Sequence, residues 1–442
     1  MNIDPVRDAA IDVLLRVFER NVHLDESLDK TIRRKALSDR GRRFLTQLAY
    51  GTVRYRLLCD HVLKRLVRQP LDKLPPPILA ILRMGVFQAL YCRQVTFPAM
   101  VHTSVDLAKK RGHAGTAKLA NAVLKRVPQH LEDVALPDSD TDPAAPLSVG
   151  HSMPLWLVTR WLREYGRDGA AALCEASNIQ APLTIRANTL KTGVEELSAG
   201  LEKAGCPCAK ETSVPEELTV LEGPLLRTKL FQHGHFMIQD PASMLPAHLM
   251  EPKAGERILD LCAAPGGKTT HMAALARGEA TIIAADARRN RLFSVADNMA
   301  RLETPGVHLL CADAAHPPFR GGFSGVLLDA PCSGLGTLRR HPDLKWRMRE
   351  QDIARLAGIQ RELLRSAVQL CENGGRIVYS VCTFTQEETE EVAQFAETLN
   401  GINLEDGPEW LNRWRVRKGL YRTLPNGDRM DGFFLMRLRK SS

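Results

Sequence analysis

Asp260-Leu261-Cys262-Ala263-Ala264-Pro265-Gly266-Gly267-Lys268-Thr269 decides the fold of this chain. The apolar run Arg257-Ile258-Leu259 leads into it, and the helical pattern Thr270-His271-Met272-Ala273-Ala274-Leu275 leads out. A strand, a tight glycine turn and a helix, in that order, are how a doubly wound α/β sheet presents a ligand loop at the carboxyl ends of its strands. Gly266 and Gly267 let the backbone turn sharply and come close to a ligand. The helix after them offers unpaired amide donors at the positive end of its dipole. Two adjacent glycines would equally suit a plain strand-to-helix turn, so the residues downstream must decide.

Beyond the loop the chain alternates. Strands are expected at 257–262, 280–286, 307–313, 325–330, 375–382 and 433–438, and helices at 268–277, 288–302, 351–372 and 386–399. This rhythm predicts a mostly parallel sheet with helices on both faces. Polar groups close successive strands. Lys268 lies in the glycine loop, Asp286 ends the second strand, Asp313 the third and Asp329 the fourth. Asp286 lies roughly twenty residues past the glycines, where a carboxylate can accept hydrogen bonds from ribose hydroxyls. A lone Asp at a strand end is ordinarily a cap, but three in register outline a nucleoside site. The loop Cys262-Ala263-Ala264-Pro265-Gly266-Gly267-Lys268 lacks the G-x-G-x-x-G of NAD and FAD sites, and it is no P-loop. An adenosine ligand without a diphosphate fits better, and S-adenosyl-L-methionine is the obvious one.

Two cysteines share this neighbourhood. Cys332 follows the fourth strand in Asp329-Ala330-Pro331-Cys332-Ser333-Gly334, and Cys382 ends the fifth in Tyr379-Ser380-Val381-Cys382-Thr383. Burial as a small apolar residue is the usual fate of a cysteine. These two lie beside an acid where an α/β sheet places its active site, and a thiolate there is a strong nucleophile. Cys59, Cys92, Cys174 and Cys371 have no such setting and are assigned to packing.

The 442 residues suffice for two or three domains. Helical spacing at 4–21, 39–69, 76–93, 98–111 and 115–127, with almost no strand pattern, predicts an all-helical domain over 1–136. That domain carries 24 Lys and Arg against 13 Asp and Glu, a net of +11 where the whole chain has +9, so the rest is about −2. Clusters at Arg33-Arg34-Lys35, Arg40 with Arg42-Arg43, and Lys109-Lys110-Arg111 point to a polyanion rather than a merely solvated face. The polar, proline-rich Pro137–Pro146 places a linker at 137–149. A small α+β module is expected over 150–235, with helices near 155–165, 169–177 and 194–204 and strands near 183–186, 218–221 and 236–238. The catalytic domain is then 236–442. No apolar run approaches the ~20 residues of a membrane helix, and the first residues form no secretory signal. The ten cysteines lack paired zinc-type spacing. A cytoplasmic monomer without a metal is the expectation.

At these residues the chain resembles the bacterial 16S ribosomal RNA cytosine-5 methyltransferases of the RsmB (Fmu, Sun) type, in the NOL/NOP/Sun family. The matching motifs are DLCAAPGGKT at 260–269, Asp286, CADA at 311–314, LLDAPCSGLGTLRRHPDLKW at 327–346, YSVCTF at 379–384 and DGFF at 431–434. LAYGTVRYRLLCD at 48–60 and KLANAVLKRV at 118–127 resemble the NusB-type RNA-binding domain. The resemblance implies a Rossmann-like S-adenosylmethionine-dependent methyltransferase sheet, 16S ribosomal RNA as partner, and methyl transfer to carbon 5 of a cytosine. It assigns Cys382 to attack carbon 6, Asp329 to the N3 and amino edge, and Cys332 to release. It places the cofactor on residues 262–268, Asp286, Asp313 and Asp329. It also sets Arg339-Arg340-His341 and Lys345-Trp346-Arg347 beside the site, where they would hold phosphates or lie on solvated surface. Many relatives have Thr at the position of Val381, a hydroxyl this chain lacks. The competing readings are the same reaction on tRNA or another ribosomal cytosine, a non-catalytic RNA-binding or antitermination factor, and, most distantly, a nicotinamide oxidoreductase.

Overall fold

The computed structural model describes residues 3–138, 142–210 and 213–442. The chain divides into two compact units, Met1–Ile179 with Leu338–Met348, and Gln180–Thr337 with Arg349–Ser442.

The first unit is helical. Its helices are Pro5–Arg20, Leu24–Arg34, Asp39–Arg54, Arg56–Leu66, Pro76–Tyr91, Phe97–Arg111, Ala114–Leu124, Ala144–Gly150 and Leu155–Ala176. Pro76–Tyr91 is buried on nearly every side through Ile78, Ile81, Leu82, Met84, Val86 and Phe87, as its all-round apolar sequence dictates. Gly51 lets this helix come close, because a Cβ there would sit 1.9 Å from Cζ of Phe87.

Several expectations for this half change. The single helix predicted over 39–69 breaks at Tyr55, whose ring stacks on Tyr91 at 4.0 Å. Leu24–Arg34, a helix outside every predicted range, is held by a narrow stripe of Leu24, Ser27, Leu28 and Thr31 at helical spacing. Part of the expected linker, 139–141, lies outside the described residues. Its remainder is not a linker, since Ala144–Gly150 forms a helix that starts after Pro143. The helices predicted at 155–165 and 169–177 are present as two, divided at Gly166, whose φ is +69°. By their contacts both group with the helical unit.

The largest departure is Leu338–Met348, which returns to the helical unit from the middle of the catalytic sequence. Lys345 is buried there, with Nζ donating to Asn178 Oδ1 at 2.6 Å and to the carbonyls of Arg54 and Ser152 at 3.4 Å. Trp346 Nε1 donates to the Val53 carbonyl at 2.7 Å, and Arg347 Nη1 to the Asn21 carbonyl at 2.7 Å. Arg54 Nη2 donates to the Arg339 carbonyl at 2.7 Å. The segment is therefore bonded into the helical unit, where the resemblance had implied phosphate holders or solvated surface. Backbone carbonyls beside a Lys at this depth hold the ammonium, while burial pushes its pKa down.

The second unit holds two sheets. In the small one, β1 (Leu183–Ala187), β2 (Cys208–Ala209), β3 (Glu217–Val220) and β4 (Phe236–Ile238) pair antiparallel in the order β2-β3-β1-β4. Ile185, Leu218 and Phe236 meet Leu197 and Leu201 of the helix Val194–Lys203 in one apolar cluster.

The large sheet contains β5 (Arg257–Asp260), β6 (Thr281–Asp286), β7 (Val307–Cys311), β8 (Phe323–Asp329), β9 (Cys371–Val381), β10 (Ile402–Leu404), β11 (Arg415–Arg417), β12 (Leu420–Thr423) and β13 (Phe433–Lys440). Its order is β11-β12-β13-β9-β8-β5-β6-β7, with β10 also paired to β13. Strands β9, β8, β5, β6 and β7 are parallel, and β13 pairs antiparallel between β9 and β12. The strands β10 to β12 were not predicted; at three or four residues each they are too short to show a period. Ile258, Leu327 and Val378 pack on one face, and Leu259, Val326, Leu328 and Ile377 on the other, the pattern of a sheet covered on both sides. The chain runs β5, β6, β7 to one side and then returns to β8 and β9 on the other. The strand order therefore reverses between β5 and β8, where open α/β sheets bind ligands. The chain is α/β: a Rossmann-like sheet preceded in sequence by an all-helical domain and a small α+β sheet.

Candidate active site

The switch point places the glycine loop after β5 next to the end of β8. Gly266 has φ +100°, and a Cβ there would lie 3.0 Å from Cγ1 of Val295, so the turn into the helix Gly267–Leu275 requires glycine. The loop is held from below, with Ala263 N donating to the Ala285 carbonyl at 2.9 Å and Arg291 Nη2 to the Ala264 carbonyl at 2.9 Å. Asp260 is buried beneath it, and Thr269 Oγ1 donates to its Oδ2 at 2.6 Å. Burial first, and the charge of Asp329 second, push the Asp260 carboxyl up to about 7 against the pull of Thr269 and Lys268.

Lys268 donates to Asp329 Oδ2 at 2.7 Å, and Ser380 Oγ donates to Asp329 Oδ1 at 2.8 Å. Burial opposes the Lys268 charge, but Asp329 and Cys382 together raise its pKa, so it stays protonated. Asp329 is thus oriented by donors from the glycine-loop helix and from β9, and keeps outward lone pairs. Strand alternation puts Ser380 and Cys382 on this side of β9 and sends Tyr379 and Val381 into the core. Val381 is fully buried beside its pairing partner Phe434, so the missing threonine hydroxyl removes nothing from this face.

Cys332 Sγ lies 3.3 Å from Cys382 Sγ. The hydrogen bond with Cys382, burial, and the charges of Glu388 and Asp329 all push the Cys332 thiol well above its ordinary range. Cys332 therefore keeps its proton and can donate it toward a Cys382 thiolate.

Both cysteine loops hang on Glu388, a residue the sequence did not single out. Glu388 is fully buried. Its Oε1 accepts from Ser333 N at 2.8 Å and Gln360 Nε2 at 3.0 Å; its Oε2 accepts from Ser333 Oγ and, at 2.7 Å, from Thr385 Oγ1. Tyr379 Oη donates to its backbone carbonyl at 2.8 Å. The loops also touch through glycine. Gly336 N donates to the Cys382 carbonyl at 3.0 Å, and a Cβ on Gly336 would lie 1.8 Å from the Gly432 carbonyl oxygen. The DGFF stretch thereby closes against the Cys332 loop. A surrounding run of acids, TQEETEE at 385–391, hides Glu388 among residues that read as a solvated face.

The other two acids differ. Asp286 is buried at the end of β6; Oδ1 accepts from Arg288 N at 2.9 Å, while Oδ2 has no hydrogen-bond partner and lies 3.4 Å from Arg291 Nη1. Asp313 follows β7 on exposed backbone, and its Oδ1 accepts from Ala315 N at 3.0 Å. It does the work of a turn residue, the ordinary fate of an aspartate there.

Among known families, the description 16S rRNA methyltransferase RsmB/F matches residues 247–439, the NusB family matches 4–129, and an RsmF/B-like ferredoxin-like domain matches 153–225. The probable ribosomal RNA small subunit methyltransferase B of Bacillus subtilis (strain 168) is 34% identical, covering 98% of each chain. The ribosomal RNA small subunit methyltransferase B of Thermus thermophilus is 36% identical over 88% of this chain and 86% of its own. The human 28S rRNA (cytosine(4447)-C(5))-methyltransferase is 37% identical over 67% of this chain and 39% of its own. A crystal structure of PH0851 superposes at TM-score 0.84 and 29% identity over 100% of both chains. That of NSun6 from Pyrococcus horikoshii with SFG does so at TM-score 0.61 and 25% identity, covering 65% of this chain and 98% of its own. The end-to-end match, together with a switch point built from two thiols and an acid, means that the chain belongs to the RsmB/F family of ribosomal RNA methyltransferases.

Proposed function

We propose that the chain methylates carbon 5 of a cytosine in 16S ribosomal RNA, with S-adenosyl-L-methionine as donor and a covalent bond between Cys382 and the base. The observation that carries this reading is the thiol pair at 3.3 Å beside an acid pinned by Lys268 and Ser380. A binding or antitermination factor needs none of these groups. Carbon 5 of cytosine is too electron-poor to attack a methyl group unaided. Bond formation between Cys382 Sγ and carbon 6 makes carbon 5 nucleophilic. Asp329 accepts a hydrogen bond from the exocyclic amino group and, when protonated, donates one to N3 as negative charge collects there. After methyl transfer a solvent water takes the carbon 5 proton, the C–H electron pair restores the ring double bond, and Sγ departs as a thiolate. The Cys332 S–H stabilises that departing thiolate. The target base must unstack to admit a thiol below its plane, so a loop or locally opened RNA is the substrate form.

The residues present suit the cofactor. Gly266 opens the loop, the helix after it offers amide donors, and Asp286 Oδ2 is a buried acceptor with no hydrogen bond of its own. Residues 262–268 and Asp286 would hold S-adenosyl-L-methionine, which supplies an electrophilic sulfonium methyl. SFG, which accompanies the NSun6 structure, is an analogue of that donor. Asp313 stays on the adenine side by resemblance alone. Asp286→Ala should weaken cofactor binding by about 1–3 kcal/mol in calorimetry, the worth of one charged acceptor site. Asp313→Ala should cost less, because its carboxylate already caps a turn. Equal affinity for Asp286→Ala and the parent protein would take Asp286 out of the site.

The helical unit is the proposed RNA anchor. Arg33, Arg34, Lys35, Arg40, Arg42 and Arg43 are exposed, and Lys110, also exposed, and the half-buried Arg111 are paired with Asp8 at 2.9 and 2.6 Å. Deleting residues 1–136 would also strip the bed of Lys345, so charge replacement is the cleaner test. Changing those six side chains to Gln should flatten the salt dependence of RNA binding by roughly 0.7 in logarithmic slope for each phosphate no longer neutralised. Changing Lys109, Lys110 and Arg111 should matter less. An unaltered slope in the six-residue variant would sink the charge argument.

Bisulfite sequencing of small-subunit RNA treated with the protein and S-adenosyl-L-methionine tests the reading as a whole. A single new 5-methylcytosine supports it. The human relative's name, a cytosine methyltransferase of 28S RNA, keeps a different ribosomal cytosine as the second reading.

A further inference from the structure

Away from the thiols, three side chains from three segments converge in the second unit. Glu216 precedes β3, His248 lies on the helix Pro241–Met250, and His271 lies on the helix Gly267–Leu275 that leaves the glycine loop. One donor atom from each lies within 4.8 Å of the others, the one such group of three among the described residues. Glu216 Oε2 is 3.0 Å from His248 Nε2 and 3.7 Å from His271 Nε2, the latter beyond a hydrogen bond. His271 is 1% exposed, and neither of its ring nitrogens has a hydrogen-bond partner. A neutral imidazole ordinarily satisfies both nitrogens when buried, so this ring is an orphan aimed at a carboxylate and a second imidazole.

From this geometry we infer a divalent cation site of the zinc class, formed by Glu216, His248 and His271. Bonds of ~2.0–2.2 Å in tetrahedral array set donor atoms roughly 3.3–3.6 Å apart, and the two separations to Glu216 bracket that range. Two imidazoles and one carboxylate suit zinc, cobalt or nickel better than calcium or magnesium, which prefer all-oxygen shells. Arg186 is the charged neighbour that opposes a cation. Its guanidinium is occupied by Gln239 Oε1, by the Gly267 carbonyl at 2.6 Å and by Thr270 Oγ1 at 3.0 Å. None of these bonds takes Glu216 away from the site. Trp410 packs edge-on against His248 at 5.0 Å, giving one side an apolar wall. Such an ion would clamp the β3 segment to the two helices, one of which begins at the glycine loop. Sequence spacing gave no sign of it, because 32 and 23 residues separate the ligands.

The test uses the full-length protein freed of metal by chelation, then titrated with Co²⁺ and, separately, Zn²⁺. The expected result is one Co²⁺ per chain with visible absorption of low-coordinate nitrogen and oxygen ligation, and no near-ultraviolet thiolate band. Zn²⁺ should displace it and raise the melting temperature in a concentration-dependent way. Glu216→Gln and His248→Gln, both able to keep a polar contact, should weaken binding at least ~tenfold and abolish the zinc-dependent rise in melting. Overturning results are absence of saturable binding, a thiolate band placing the metal on cysteine, or unchanged affinity in both variants. None of the three ligands bonds Cys332, Cys382, Asp329 or Lys268, so those results would leave the methyl-transfer proposal standing.

Discussion

Cys382→Ala should abolish methyl transfer and form no covalent complex with RNA, while Cys332→Ala should methylate once and then stall as a protein–RNA adduct. The two thiols are 3.3 Å apart and share one acid, so composition and position alone would treat them alike. Their environments separate them. Cys332 is held protonated by its partner, its burial and the acids around it. Cys382 lies on the face of its strand that carries Ser380, which holds Asp329, and in the proposed reaction it is the member that attacks. Removing the attacking sulfur removes the step that activates carbon 5. Removing the S–H that steadies the departing thiolate leaves the adduct without its exit. Denaturing electrophoresis with labelled RNA and cofactor reads both outcomes, and a thermal melt alongside reads folding. Simple packing roles would instead cost each variant a small cavity, on the order of 1 kcal/mol, with activity tracking folded protein. An adduct in Cys382→Ala and none in Cys332→Ala would reverse the roles.

Glu388→Ala should destabilise the protein by about 3–5 kcal/mol and abolish most activity, although Glu388 is not placed at the reacting base. The substitution strands Ser333 N and Thr385 Oγ1 in the interior, and leaves Ser333 Oγ and Gln360 Nε2 with only Thr383 Oγ1 and the Pro331 carbonyl as acceptors. Two of those donors belong to the immediate neighbour of Cys332, and one to the loop after Cys382. Glu388→Gln keeps the volume but turns one acceptor into a donor facing donors, so it should lie between. Denaturant melts measure the first effect. The second is measured as the yield of Cys382–RNA adduct in the Cys332→Ala background, which depends on thiol placement as well as folding. A Glu388→Ala protein with parental stability and adduct yield would mean that the two loops are held elsewhere.

Much of the catalytic half was legible because its signals are local. Period-two and period-3.6 patterns located β5, β6, β7, β8, β9 and β13, and acids fell at strand ends where polar groups have one place to go. The helical front half was legible from spacing and from its charge. The failures share a cause. Leu24–Arg34 has only two leucines in its buried stripe, and strands as short as β10 to β12 carry too little pattern; both exist because neighbours supply a surface. The linker composition of 137–149 concealed a helix, since Pro143 can start one as readily as it can break one.

By itself the sequence determined the glycine loop, the order of strands and helices, the two thiols and the acid, each of them read from a short local stretch. Only the tertiary structure decided which strands became neighbours. It set the crevice between β5 and β8, brought residues fifty apart to 3.3 Å, and buried Glu388 beneath both. It drew Leu338–Met348 into the helical unit and made Asp313 a turn residue. It also gathered Glu216, His248 and His271 into one site. Local pattern reports which face of an element is apolar. Which partner covers that face, and which buried charge is thereby left to find a ligand, is settled by long-range packing.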